Sequence, residues 1–306
     1  MSDADRLETA FAQLIATDNK DGGSVGLETR ALAFAHHADE LQTVGSASQR
    51  VRARLYYLGA AFTGTALWAA IDARELERAQ RHLERATHLA ALSGNAEIQL
   101  RLWAHAALLA AQQERYNDAI AAANVSRTST ACRRDPLLRS FATARLAGIQ
   151  AGRATSQSDR AGALRVLDHA TDAFHRADSA QPRPAWIAFY DRAELDGLSA
   201  LVMGRIGAHE RAEAFLHSTL SRLRPDLVRN RVYYGAQLAL AQLRQGDPEE
   251  GCATAASVLP SLRSDSLTGR TGELLATFHS ELLSLAPGKH ICGQWTDMYT
   301  SKRRLT

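Results

Sequence analysis

A stripe of small residues recurs along the chain, each time followed by a turn and a second amphipathic stretch, and this leaves few folds open. Between Trp186 and Gly207, the residues Phe189, Ala193, Gly197, Ala200 and Gly204 fall at helical spacing on one face. Such a stripe offers little apolar area, but it lets a second helix backbone approach closely. Gly207 ends that helix, and Glu210, Arg211 and Ala212 open a partner running to about Leu223. The next segment does the same. Val232, Ala236, Ala239 and Leu243 form the stripe, and Gly246, Asp247 and Pro248 form the turn. Pro248 suits a first helical turn, where its missing N–H costs nothing, and Asp247 is placed to cap. Upstream, Leu55, Gly59, Phe62 and Ala66 make one stripe, and Leu100, Ala104, Ala107 and Ala111 make another. Their partner helices run through residues 76–79 and 116–119, and a further pair with Leu137, Phe141, Ala144 and Gly148 lies between Asp135 and Ala177.

The small residues of the second helices, Ala79, Ala119, Ala163, Ala212 and Gly251, stand 40, 44, 49 and 39 residues apart. These intervals are longer than the roughly 34-residue tetratricopeptide unit. Inside the units the match is closer. Ala200, Gly207 and Ala212 repeat as Ala239, Gly246 and Gly251, while Ala79-Leu83-Ala86 and Ala163-Leu167-Ala170 keep the i, i+4, i+7 order of a second helix. The expectation is an all-α chain, a tetratricopeptide-like α-solenoid of stacked antiparallel helix pairs. The alternative is a non-repetitive helical bundle with coincidental alanine spacing. Residues 1–46 read as N-terminal capping helices over 3–16 and 24–42, and residues 47–286 as about five helix pairs closed by a helix over 267–285. Residues 287–306 read as a flexible C-terminal tail.

Composition agrees with closely packed helices. Aromatics are only 6% of the chain while alanine is abundant, and no run of alternating Val, Ile and Thr marks a strand. A net charge of +3 is small for 306 residues and is not the basic stripe of a nucleic-acid binder. Lysine occurs only at Lys20, Lys289 and Lys302, so nearly all positive charge is arginine, a usage typical of GC-rich bacterial genomes. Cys132, Cys252 and Cys292 are far apart and form no CxxC pair, which argues for a reducing cytosol and against a disulfide framework or zinc site. The acidic first residues and the lack of a long apolar run predict no signal peptide, no membrane span and a cytoplasmic protein.

The usual catalytic signatures GxxxxGK[ST], GxGxxG and HExxH are missing, so no enzyme activity and no cofactor are expected. His36, His37, Asp39 and Glu40 form the densest group of potential metal ligands. A third ligand would have to come from elsewhere, and a solvated helix end is the reading adopted. His82 and His88, six apart, read as surface residues. The arginine groups at 50–54, 133–134 and 222–224 alternate with acids and have no aromatic interleaving, so they read as solvated faces.

Two stretches are distinctive. One runs from Pro184 through Trp186, Phe189, Tyr190 and Asp191 to Gly197, and the other from Arg222-Leu223-Arg224-Pro225-Asp226 through Arg229 to Tyr234, with the Gln245-to-Glu249 turn following. Together they resemble the C-terminal helical-repeat region of the large actinobacterial XRE-type transcriptional regulators, over roughly residues 25 to 286. The resemblance implies a helical array acting as a sensor or protein-contact module in a regulatory setting. It does not imply operator binding, because residues 1–24 are too short for a helix-turn-helix domain, and the expectation is no direct sequence-specific nucleic-acid binding.

Two roles fit such an array. One is a regulatory binding module taking a peptide, a small signal or a protein partner in its concave groove. The other is an accessory protein of a biosynthetic pathway that holds a precursor peptide or recruits tailoring enzymes. A homodimer is compatible with either. With the small eighth repeat position at Ala107, Ala200 and Ala239, the second position falls on Arg101, Glu194 and Tyr233 and the thirteenth on Gln112, Arg205 and Arg244. These six are the expected groove residues, since a peptide needs both donors and acceptors. Arg78 and Arg211, beside the turns, are expected on the outer face.

Overall fold

The computed structural model describes residues 2–43, 47–262, 267, 269–286 and 290–304. Among them lie fifteen α-helices and no strand. The chain divides into two compact units, Met1–Phe189 and Tyr190–Thr306. In the first, the helices are α1 (Asp3–Asp21), α2 (Val25–Thr43), α3 (Gln49–Asp72), α4 (Leu76–Ser93), α5 (Ala96–Gln112), α6 (Tyr116–Thr128), the short α7 (Thr130–Arg134), α8 (Pro136–Arg153) and α9 (Gln157–His175), followed by a 3-10 turn at Ala185–Ile187. The second holds α10 (Arg192–Arg205), α11 (His209–Arg222), α12 (Val228–Gln245), α13 (Pro248–Val258), a 3-10 turn at Leu259–Ser261, α14 (Arg270–Leu285) and α15 (His290–Arg304).

Each unit is built of helix pairs. α3 packs on α4, α5 on α6 and α8 on α9, and the first helices also pack on one another, α3 on α5 and α5 on α8. In the second unit α10 pairs with α11 and α12 with α13, while α12 packs in turn on α10 and α14. Short turns joining helices that lie side by side make each pair antiparallel. This is the tetratricopeptide-like arrangement that the small-residue stripes predict. The stripes work by close approach: a Cβ added at Gly197 would meet the Tyr234 ring at 2.4 Å.

The turns share one geometry. Arg74 (φ 61°), Glu114 (φ 61°), Gly207 (φ 83°) and Gly246 (φ 96°) are all left-handed. Each stands five residues before Ala79, Ala119, Ala212 and Gly251 respectively. After each, the next residue's N–H reaches back across the turn: Glu75 to Ala70 O, Arg115 to Ala110 O, Ala208 to Met203 O and Asp247 to Gln242 O, all at 2.9–3.1 Å. The left-handed residue and the bond closing over it satisfy the last carbonyls of the first helix. The sequence pattern picks out only the two glycines, because Arg and Glu hide the same backbone state. The α8–α9 turn differs. Ala154 and Ser156 are extended there, and Ser156 with Asp159 forms a capping box.

Two boundaries depart from the sequence reading. The expected single array over 47–286 is split between the units at residues 189 and 190. The expected flexible tail holds helix α15 instead, because Trp295 and Tyr299, four residues apart, are both buried. Trp295 packs edge-on against Phe278 of α14 at 5.2 Å and stacks on Tyr299 at 5.5 Å. Residues 287–289, 305 and 306, which the expected tail also spans, lie outside the described residues.

Candidate functional site

Of the six expected groove residues, Arg101 departs most from expectation. It is 5% exposed, not groove-facing. Its Nη1 donates to the Ala61 carbonyl at 3.1 Å and its Nη2 to Thr65 Oγ1 at 3.0 Å. Its guanidinium lies 5.6 Å from the Phe11 ring of α1 and 5.9 Å from the Trp186 ring. Burial pushes Arg101 down to about 10, partly offset by Tyr57 and Asp18. The physical reason is a cover that spacing alone does not reveal. α1 packs on α3 and touches the Ala185–Ile187 turn. Trp186 and Phe189 both pack against Phe141 of α8, at 6.2 and 6.1 Å. Arg183 ties that segment down through Asp135, the N-cap of α8, and through the Asp178 carbonyl at 3.1 Å.

Glu194 is likewise buried, accepting from Asn230 Nδ2 at 2.9 Å. Beside it on α10, Asp196 is buried and accepts from Arg192 Nε at 2.8 Å, Ser218 Oγ at 2.9 Å and Arg222 Nη1 at 3.3 Å. Tyr233 is half-buried, takes a hydrogen bond from Gln237 at 3.2 Å and lies under Arg270, 4.7 Å from its ring. Arg244 makes a two-pronged pair with Glu281 at 2.9 and 2.7 Å, which raises its pKa. Gln112 is half-buried and Arg205 exposed. Arg101 and Gln112 belong to the first unit and the other four to the second, where Glu194, Tyr233 and Arg244 sit in separate networks. The polar residues expected to line a groove are largely spent inside their own units.

Two further expectations change. His82 is not a surface residue: its Nε2 lies 2.8 Å from Glu28 Oε1, with the His82 side chain 13% and that of Glu28 8% exposed. Arg78, expected on the outer face, joins the same carboxylate at 3.0 Å. His36 and His37 both lie within 3.4 Å of Glu40 on an exposed helix face, and among the described residues no group of three such side chains could hold a metal. No helix of the described residues is long and apolar enough to cross a membrane.

An open cleft of about 770 Å³ lies between α6, the end of α8 and α9. The extra turn α7 and the different α8–α9 connection set this pair apart from the others. Arg153 enters it from α8 and its only hydrogen-bond partner among the described residues is neutral, Asn117 Oδ1 at 2.9 Å. The side chains of Arg165, His169 and Ser158 enter from α9 and make no ion pair or hydrogen bond among the described residues. Gln150 Oε1 is buried there without a hydrogen-bond partner. The single carboxylate, Asp159, turns Oδ2 toward the α9 cap, accepting from Ser156 Oγ at 2.7 Å and Ser156 N–H at 3.1 Å. The Ser156 hydroxyl, then its backbone, hold Asp159 below the usual carboxylate range. The cleft therefore carries two arginines against one ionised carboxylate.

No protein-family model and no curated protein matches the chain. Among solved structures, the crystal structure of the APC/C hetero-tetramer Cut9–Hcn1 aligns over 97% of this chain and 58% of that chain, at 12% identity and a TM-score of 0.37. The chain thus spans less than two thirds of the protein it aligns with. At that score the likeness adds nothing to the helix pairing described above.

Proposed function

We propose that the chain is a non-enzymatic binding module that takes a peptide or protein partner on its stacked helix pairs. One observation carries the reading: the exposed Arg153 and Arg165 face an open cleft with no carboxylate partner, whereas Asp196 and Arg244 are each matched by an opposite charge within their own unit. Guanidinium forks recognise carboxylates with a geometry few other groups supply, so two of them left open on a scaffold favour recognition. The resemblance to the repeat region of XRE-type regulators supports a regulatory setting. The small net charge and the alternation of arginines with acids support a partner other than DNA.

The test is capture of the tagged full chain from its native host after in vivo crosslinking, with crosslinked residues mapped by mass spectrometry. A partner protein or peptide crosslinked to defined helices is the expected result. A chain recovered with none, or a footprint on a defined operator that survives physiological salt, overturns the reading.

A further inference from the structure

We infer that residues 178–189 occupy, as an intramolecular peptide, a groove of the first unit that also takes partner peptides of the same pattern, with an arginine on Asp135 and, three residues on, an aromatic ring against Phe141. This adds a second surface to the binding-module reading and does not depend on the cleft beside α9. α9 ends at His175, and from there to Phe189 the only helical residues are the 3-10 turn Ala185–Ile187. Pro182 and Pro184 flank Arg183, and their fixed φ presets an extended approach. Pro184 is in polyproline geometry, with φ −56° and ψ 146°. The segment lies along the starts of two first helices. Arg183 reaches Asp135, the N-cap of α8, and Trp186 lies 6.2 Å from Phe141 of α8 and 5.9 Å from the Arg101 guanidinium of α5.

The segment hangs on one latch. Among the described residues, the hydrogen bonds and ion pairs of residues 178–187 stay within residues 178–188, except that of Arg183 with Asp135. A core helix is tied at every turn by its backbone, whereas this stretch is tied by one side chain. Trp186 is 4% exposed, and its Nε1–H is buried with no acceptor among the described residues. A tryptophan built permanently into a core usually finds an acceptor for that N–H, so this seat is incompletely made. The seat also specifies its occupant. Glu97 of α5 is raised above the usual carboxylate range by burial and then by Asp135, with Arg183 opposing. Two neighbouring acids shielded from water call for a cation, and the Arg183 and Asp135 side chains that meet there are 11% and 10% exposed. Phe141 takes both Trp186 and Phe189 edge-on. Those acids repel a nucleic-acid strand or an acidic peptide. A peptide with an arginine and a ring three residues on replaces each contact that it breaks, so the tethered segment competes with it on equal terms except for its tether.

The experiment uses the full chain and, as probe, a fluorescein-labelled peptide with the sequence of residues 178–189, read by fluorescence anisotropy. In the unaltered chain the tethered segment competes at high effective concentration. The probe should therefore bind roughly tenfold or more tightly to Arg183→Ala, in which the latch is gone, with circular dichroism confirming the fold. Replacing the probe's arginine by glutamine, or its tryptophan by alanine, should weaken binding to Arg183→Ala by roughly tenfold each, and a scrambled probe should not bind. Adding Asp135→Asn, which keeps the α8 cap, should remove the preference for arginine. One measurement needs no variant: in the unaltered chain the Ile187 and Ala188 amides should exchange through an opening that leaves α5 and α8 protected. Exchange of those amides only together with α5 and α8, no binding to folded Arg183→Ala, equal binding to both chains, or equal binding of the scrambled probe would each overturn the inference. So would a dimer of the unaltered chain that the probe splits, by showing that the segment is exchanged between copies. If the partner captured from the host binds Arg183→Ala no more tightly than the unaltered chain, the module reading stands and this groove is not its site. If neither partner nor probe binds, both readings fall.

Discussion

The guanidinium of Arg101 lies 5.9 Å from the ring of Trp186, so a helix position expected to face solvent is roofed by a segment far along the chain. Arg101 is held by the Ala61 carbonyl, the Thr65 hydroxyl and two aromatic faces rather than by a carboxylate. Shape, more than charge, therefore decides its replacement. Arg101→Met keeps much of the volume and removes a desolvated charge, and Thr65 still donates to Ala61 O at 3.1 Å. Stability should stay within about 1 kcal/mol of the unaltered chain. Arg101→Ala leaves a cavity under Trp186 and should cost about 2–4 kcal/mol, with Trp186→Ala costing about 3–5 kcal/mol. Urea unfolding of the intact chain measures all three. A neutral Arg101→Ala would mean that the roof is loosely packed.

Glu114 and Gly207 occupy the same left-handed turn position, one with a side chain and one without. A Cβ added at Gly207 meets nothing within 4 Å, so any cost there is backbone strain. Gly207→Ala should destabilise by about 1 kcal/mol and Glu114→Gly should stabilise by up to about 1 kcal/mol, the second partly offset by the freer unfolded chain. Opposite shifts in thermal midpoint are the expected readout. Shifts of the same sign would show that the two turns are not equivalent.

Arg54 of α3 grips α1, donating to Glu8 at 2.6 and 2.7 Å and to Asp5 at 2.6 Å. The Arg54 side-chain hydrogen bond, then the Ser2 backbone and hydroxyl, lower Asp5 from its ordinary 3.8 to about 2. A carboxyl lowered on folding contributes stability above its unfolded pKa, and that contribution is lost as pH falls through the folded value. Asp5 should therefore help hold α1 at pH 4 and above and release it as the pH drops from 3.8 toward 2. Hydrogen exchange along α1 across that range should show the loss, and Asp5→Asn should flatten it. An unchanged profile in Asp5→Asn would place the acid sensitivity elsewhere.

Helix pairing was legible in the sequence because it depends on local periodicity. Ala193, Gly197 and Ala200 show a close-packed face wherever their partner lies. What the sequence concealed was long-range or disguised. No spacing rule brings Trp186 and Phe11 onto Arg101, and a left-handed Glu114 has no signature where a glycine would have one. The cleft residues were partly visible: Ser158, Gly162, Arg165 and His169 share a helical face. That Arg153 of α8 reaches the same cleft is something only the fold shows. The arginines picked out by repeat register, Arg101 at the second position and Arg205 and Arg244 at the thirteenth, do not share an environment. Arg101 sits in a roofed interior, Arg205 is exposed, and Arg244 is paired with Glu281.

The C-terminal segment, expected as a flexible tail, is helix α15 anchored on α14. Trp295 is 2% exposed and meets Phe278 edge-on, an arrangement worth about 0.5–1.5 kcal/mol beyond the area buried. Tyr299 stacks on the same indole and lies 5.0 Å from His279, so one face of α15 is anchored on α14 by two aromatic residues a helical turn apart. Trp295→Ala removes the larger anchor, and a truncation of this kind costs about 3–5 kcal/mol where the site cannot collapse. A terminal helix has a cheaper outlet than global unfolding, which is to detach alone. The expected result is faster hydrogen exchange and new protease cleavage confined to residues 290–304, with α10 to α13 unaffected. Met298→Ala, at an exposed position of the same helix, is the control and should change neither readout. If residues 290–304 exchange fully in the unaltered chain, α15 is not docked in solution. If Trp295→Ala instead lowers the unfolding midpoint of the whole second unit, the cluster of Phe278, Trp295 and Tyr299 belongs to that unit's core.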